Sequence, residues 1–208
     1  MSSLQKKILQ RLGPILTQQH FYLVGGTTIA INLGHRHSVD LDWFTGESIA
    51  DPMLLAQNIL DNGIPFITGQ IERGTLHGTI SGVRVSFLEY KYPLIKPLIT
   101  WQKAACQLAS LEDIASMKLS ALTQRGSKKD FVDIYALGLR QFRLRDMLRF
   151  YQKKYSVEDI GHVLYGLSYF DDADKERLPK MFWDVDWKII KKTIQGWVKD
   201  VAGQRPLP

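Results

Sequence analysis

No stretch of this chain approaches the run of roughly 18–20 apolar residues that a membrane span requires, so a spanning helix is not expected. The first residues (Ser2, Ser3, Gln5, Lys6, Lys7) lack the apolar centre of a signal peptide. Cysteine is nearly absent. Cys106 stands alone, which rules out an intrachain disulfide and fits a reducing, cytoplasmic setting. It lies in a moderately apolar segment with no recognisable histidine relay, and there is no Gly-x-Ser-x-Gly elbow, so nucleophilic catalysis is not expected. Internal repeats and low-complexity tracts are missing as well. Neither sign of charge dominates. Twenty-seven Lys and Arg against 21 Asp and Glu leave +6, which favours polyanionic partners without separating nucleotide, RNA and acidic protein. What remains is ordinary globular material: 208 residues at 45% hydrophobic content, enough to bury a core.

The informative stretch is Phe21-Tyr22-Leu23-Val24-Gly25-Gly26-Thr27-Thr28, followed by Asp40-Leu41-Asp42-Trp43-Phe44. The first reads as an apolar strand entering a glycine pair and then a helix. The second reads as a strand with carboxylates at alternate positions. Side chains at i and i+2 leave the same face, so Asp40 and Asp42 project together. Two adjacent carboxylates need a cation between them. Mg2+ held by one or two carboxylates and substrate phosphates is the usual solution in phosphoryl chemistry. Glycines at a helix N-terminus let backbone N–H groups approach a phosphate. Together they predict a nucleotide-handling site.

Taken in order, Leu4, Ile8, Leu12, Ile15 and Leu16 predict an amphipathic helix over 3–17, with Gly13-Pro14 fraying or kinking its end. A helix from Pro52 to about Asn62 stops at Gly63, and 64–72 reads as a strand. Alternation on both sides of Ser81-Gly82 predicts a two-residue hairpin. Pro93, Pro97 and Trp101 mark a loop. Ser110-Leu-Glu-Asp113 opens a helix to about Gln124, in whose apolar stripe Lys118 and Arg125 lie two turns apart. A cation on a buried face must snorkel or meet an anion. Ser127-Lys-Lys-Asp130 opens the next helix, to about Leu139. There Asp130 is either a first-turn acid or functional, and Asp133 is expected to pair with Lys118, Arg125 or Arg36.

Beyond Arg140 the chain reads as helical. A basic helix spans 143–154, Ser156 caps another to about Tyr169, 171–174 is a loop, and Asp184-Val-Asp186 caps a last helix over 188–201. The tail from Gln204 to Pro208 reads as loose. His35-x-His37 is too sparse for zinc, and His20, His77 and His162 read as structural.

The Gly25-Gly26 turn, His35-Arg36-x-Ser38-x-Asp40-x-Asp42 and the trailing Trp43-Phe44 resemble the nucleotidyltransferase superfamily, and within it the AbiEii/AbiGii toxin family. Met117-Lys118-x-x-Ala121-x-x-x-Arg125-x-x-x-Lys129-Asp130-x-x-Asp133-x-Tyr135-x-Leu137 resembles that family's downstream motif. The resemblance implies an α+β fold with a short mixed sheet flanked by helices. A core domain over 1–140 would precede a mostly helical region over 141–208. It further implies an Mg2+-dependent enzyme that moves a nucleoside monophosphate from an NTP to a hydroxyl of tRNA or protein, as a toxin with an antitoxin partner.

In this reading Asp40 and Asp42 hold the metal. Gly25, Gly26, Thr27, Arg36, Ser38, Arg125 and Asp130 bind the nucleotide, and Lys118 stabilises phosphate charge. Asp133, Asp130, Glu89 or the metal itself activates the acceptor. Superfamily members commonly carry a third metal carboxylate on a strand like the second hairpin arm. Here the aligned position is Ser86, and the nearest acid is Glu89, three residues on and on the opposite strand face; either Glu89 reaches round through a bulge as the third metal ligand, or water and substrate fill the coordination, or the metal site is weakened. That departure motivates a second reading, a nucleotide-binding module without transfer chemistry. A third is an RNA-binding protein using the basic C-terminal helices.

Overall fold

A computed structural model describes residues 1–203; the expectation for 204–208 lies outside the described residues. The chain clusters into two compact units. One is made of residues 1–31 and 38–110, the other of 32–37 and 111–208.

The first unit opens with α1 (Ser3–Gln18), capped reciprocally by Ser2 and Gln5. The helix continues past Pro14 to Gln18. Leu12 and Leu16 on either side are fully buried, and burying two leucines at about 1.5–3 kcal/mol each outweighs one lost backbone bond. Then follow β1 (Tyr22–Val24), α2 (Gly25–Leu33, whose last two residues cluster with the second unit), β2 (Leu41–Thr45) and α3 (Pro52–Asp61). The strands β3 (Phe66–Glu72), β4 (Thr75–Ile80), β5 (Val83–Glu89), β6 (Ile99–Trp101) and β7 (Cys106–Leu108) complete a mixed seven-stranded sheet. Its order is β3-β4-β5-β2-β1-β7-β6. The Ser81-Gly82 hairpin forms as expected, with both turn residues at positive φ. The stretch after Pro93 is not all loop: β7 adds to β1 in parallel and β6 pairs with β7.

Alternation separates the two faces. Leu41, Trp43, Leu76, Ile80, Val85 and Phe87 are buried in one apolar cluster with α1 and α3 residues, while Asp42, His77 and Ser86 are only half-buried.

The second unit is helical: α4 (Leu111–Arg125), α5 (Lys128–Arg140), α6 (Leu144–Tyr155), α7 (Gly161–Ser168), α8 (Asp171–Lys175) and α9 (Trp187–Ala202). Three local expectations change. Ser127 starts α5 without capping it, because its hydroxyl donates to Glu176 instead. Ser156 does not begin α7. It ends α6 in the left-handed region, at φ 53°. The acidic stretch 171–174 is helical rather than a loop. Asp186 does cap α9, accepting from the Ile189 amide. In the same unit, residues 35–37 are tied to 180–183 by an Arg36–Met181 bridge and the His37 N–H to Lys180 carbonyl bond.

Candidate active site

The site in the first unit grows out of one register. Val24 lies opposite Asp42 across the antiparallel β1–β2 pair, so Asp42 emerges beside the turn that follows β1. Gly25 occupies that turn with φ +70°, where an L side chain is strained. The space is taken as well: a Cβ on Gly25 would lie 2.7 Å from Asp42 Oδ2. The carboxylate therefore packs directly on the bend that opens α2.

Asp40, one residue ahead of β2, is anchored through its backbone. Thr27 Oγ1 donates to the Asp40 carbonyl (2.5 Å) and shares a hydrogen bond with Ser38 Oγ (2.9 Å), in which the serine hydroxyl supplies the proton, and Gln5 holds the Ser38 carbonyl. Thr27 and Ser38 are thus buried struts of the loop that presents the two acids. The Asp40 carboxylate accepts two bonds from the Arg84 guanidinium, at 2.8 and 3.2 Å. An open cleft of about 470 Å³ borders both aspartates, and its walls include His77, Arg84, Ser86 and Gln70.

Ser86, where the superfamily pattern would place a third acid, stands directly opposite Asp42 in the β2–β5 register. Glu89 is not brought there. It stands opposite Thr45, pairs with Lys91 at 2.6 Å and accepts from the Ile49 amide. The bond from Lys91, with Ile49 and Ser48, holds its carboxyl below the usual range against a smaller opposing effect of desolvation. Among the described residues no three His, Cys, Asp or Glu side chains form a metal-ligand group. A donor set of two carboxylates fits Mg2+, which takes one or two carboxylates and completes its shell with water and phosphate oxygens.

The second unit contains a buried ionic cluster. Asp133 is fully buried. Its Oδ1 accepts from His35 Nε2 and Arg36 Nε, both at 2.7 Å, and its Oδ2 from Arg36 Nη2 at 2.8 Å and Lys118 Nζ at 2.7 Å. Lys118 bridges onward to Asp130 at 2.9 Å, which also accepts two bonds from Arg125. So three cations meet two carboxylates. Lys118 does not snorkel, whereas the Arg125 side chain is 51% exposed. Burial pushes the Asp133 carboxyl up, but Lys118, His35 and Arg36 prevail and hold it well below the usual carboxylate range. Asp130 is lowered by Lys118 and Arg125 against the same desolvation. Desolvation pulls Lys118 down, yet the two aspartates leave it raised.

The remaining candidates are quiet. Cys106 is buried, and desolvation pushes its thiol up to about 11. His162 bonds the Tyr151 hydroxyl. His35 and His37 go different ways: His35 serves Asp133, while His37 faces the Phe182 ring. Two cleft residues were not singled out from the sequence as site residues, Arg84 and His77. Their signal was the alternation of the hairpin: Leu76, Ile80, Val85 and Phe87 mark the core face, which leaves His77, Arg84 and Ser86 on the other.

These features define a class. A candidate nucleotidyltransferase from H. pylori superposes with a TM-score of 0.55 at 14% identity, covering 98% of each chain. MenT4, a nucleotidyltransferase toxin from Mycobacterium tuberculosis H37Rv, superposes at 0.56 and 14% identity, covering 95% of this chain and 83% of that one. The fold is therefore a nucleotidyltransferase fold. A family model described as nucleotidyl transferase AbiEii toxin, type IV TA system, matches residues 81–200. An uncharacterized protein of Aquifex aeolicus (strain VF5) is 30% identical over 200 residues, which are 94% of this chain and 97% of that one. The chain belongs to the AbiEii nucleotidyltransferase toxin family. Among its described residues no helix is long and apolar enough to cross a membrane.

Proposed function

We propose that the protein transfers a nucleoside monophosphate from an NTP to an acceptor hydroxyl on tRNA or protein, releasing pyrophosphate, as the toxin of a pair whose antitoxin restrains it. The observation that carries this reading is the packing of the Asp42 carboxylate on the left-handed Gly25 beside an open cleft. Backbone N–H groups at the start of α2 receive the triphosphate, since a helix N-terminus offers unpaired donors and a favourable dipole. Asp40 and Asp42 are the residues that would hold Mg2+, which when bound neutralises phosphate charge and stabilises the leaving pyrophosphate. Arg84 bonds the Asp40 carboxylate, and for Asp40 to hold the metal it would yield that carboxylate or swing to a phosphate oxygen.

In the second unit Asp130 and Asp133 position cations rather than moving protons, because a carboxylate held by three or four donors is a weak base. Arg125, Lys118 and Arg36 leave that cluster one positive charge in surplus over its two carboxylates, with Arg125 its exposed member. An NTP substrate implies a cytoplasmic setting. Ser86 in the third-acid position is the one observation that favours the alternative, a nucleotide-binding module without transfer. Incubating the protein with each α-phosphate-labelled NTP, Mg2+ and total RNA or lysate tests the choice. Label transfer that disappears in Asp42→Ala supports the enzyme, and NTP binding without any transfer supports the module.

A further inference from the structure

We propose that His77 is the base that takes the proton from the acceptor hydroxyl, with Ser86 as its positioning residue; this rests on the transferase reading above. Asp42, Ser86 and His77 stand in one row across β2, β5 and β4, each directly opposite the next. Adjacent strands are about 4.8 Å apart, so the imidazole rises from the same sheet face roughly two strand spacings from the aspartate. All three residues line the same cleft. His77 Nδ1 lies 3.0 Å from Ser86 Oγ, and Nε2 makes no hydrogen bond among the described residues. With Nδ1–H donating to the serine oxygen, the ring is fixed in orientation and tautomer and Nε2 keeps its lone pair.

The other candidate bases are occupied. Asp133 and Asp130 are buried in the ionic cluster. Glu89 serves Lys91 and Ile49, opposite Thr45. Asp40 accepts both bonds of a guanidinium. The charged groups bordering the cleft with His77 are Asp40, Asp42 and Arg84; the β3 side presents Ile67, Thr68, Gly69 and Gln70, none of them charged. A serine hydroxyl in the place of a carboxylate cannot accept a proton at neutral pH, whereas an imidazole leaning on it can.

The step balances. The acceptor O–H proton passes to Nε2 while the oxygen forms its bond to the α-phosphorus. The bond from that phosphorus to the bridging oxygen breaks, and pyrophosphate leaves with the electron pair. The imidazolium then returns its proton to solvent.

Two readouts on the full chain test this. In nitrogen NMR of the imidazoles, with His77 assigned by its loss in His77→Gln, the ring should be the Nδ1-protonated tautomer, and Ser86→Ala should shift that equilibrium. A ring protonated at Nε2 with Nδ1 accepting overturns the proposal. In the label-transfer assay His77→Gln should lower kcat by about 10²–10⁴-fold with the KM for NTP unchanged, and imidazole should partly restore His77→Ala. Ser86→Ala should cost less, and Ser86→Thr should recover the loss. If His77→Gln transfers like wild type while Asp42→Asn is inactive, the base is wrong and the transferase reading stands. If wild type and Asp42→Asn are equally inert, the reading falls and the proposal with it.

Discussion

Replacing Gly25 with alanine separates the strain of the turn from the chemistry beside it. Gly25 and Gly63 share the same φ of +70°, but only Gly25 meets a functional group. An L residue in the left-handed region costs about 1–2 kcal/mol. Each Gly→Ala variant should therefore lose about that much stability, or about 2–8 °C in Tm at roughly 2–4 °C per kcal/mol for a chain of this size. At Gly63 the new methyl has only Arg11 Nη2 nearby, at 3.6 Å, an ordinary contact. At Gly25 it would sit 2.7 Å from Asp42 Oδ2, where ordinary contact begins at 3.4 Å. The difference, 3.4 minus 2.7, means the carboxylate must retreat by about 0.7 Å. A misplacement of about 1 Å can cost about 10²-fold in rate, so Gly25→Ala should lose about 10–100-fold in kcat and Gly63→Ala almost none. Urea melts and label transfer, measured side by side, check both halves. If Gly25→Ala transferred within about 2-fold of wild type at matched stability, the bend would not be presenting the metal carboxylate and the assignment of Asp42 would be refuted.

Asp133→Asn should cost about 3–5 kcal/mol, because Lys118 stays buried with one of its two carboxylates gone and Arg36 stays buried without the carboxylate it forks onto; a denaturant midpoint within error of wild type would contradict this. The cluster also sets a pH window. Asp130 and Asp133 have folded pKa values below the unfolded one, so their contribution is present above about pH 4 and is lost as pH falls through the depressed values. Lys118 is raised, so its share is present at neutral pH and fades only as pH climbs past about 10.4 through the folded value. Melts of wild type and Asp133→Asn should converge in acid. Glu89→Gln should leave label transfer intact, since its carboxylate serves Lys91 and Ile49; loss of activity with stability unchanged would return Glu89 to the metal site. Gly138→Ala should destabilise by about 1–3 kcal/mol through overpacking, because its methyl would fall 2.2 Å from Trp197. Tryptophan fluorescence follows that change through the Tyr135–Trp197 stack.

The elements nearest to local rules were legible. The period of α1, the Ser81-Gly82 hairpin, the Asp186 cap and the Gly63 stop each depend on a few neighbouring residues, and each forms where it is expected. Local spelling failed at two serines, at the first because a distant partner competed for the same atoms. Ser127 looks like a cap but gives its hydroxyl to Glu176, forty-nine positions away. Ser156 looks like a start but ends a helix. The short strands β6 and β7 carry no pattern of their own, because three residues gain order only from pairing along an existing edge.

For the site the division is similar. The alternation of Asp40 with Asp42 and the glycine pair before them are properties of the chain, since side-chain direction along a strand and the freedom of glycine need no tertiary partner. Which groups surround that pair was decided by strand order. Inserting β5 between β2 and β4 sets Ser86 beside Asp42 and His77 beside Ser86. The same register carries Glu89 three residues past the cleft. In the helical unit, the motif spacing of Lys118, Arg125, Asp130 and Asp133 was visible, and so was an ion pair for Asp133. That Asp133 would gather His35, Arg36 and Lys118 at once was not, because the cost of an unpaired buried charge is settled only where packing removes the water.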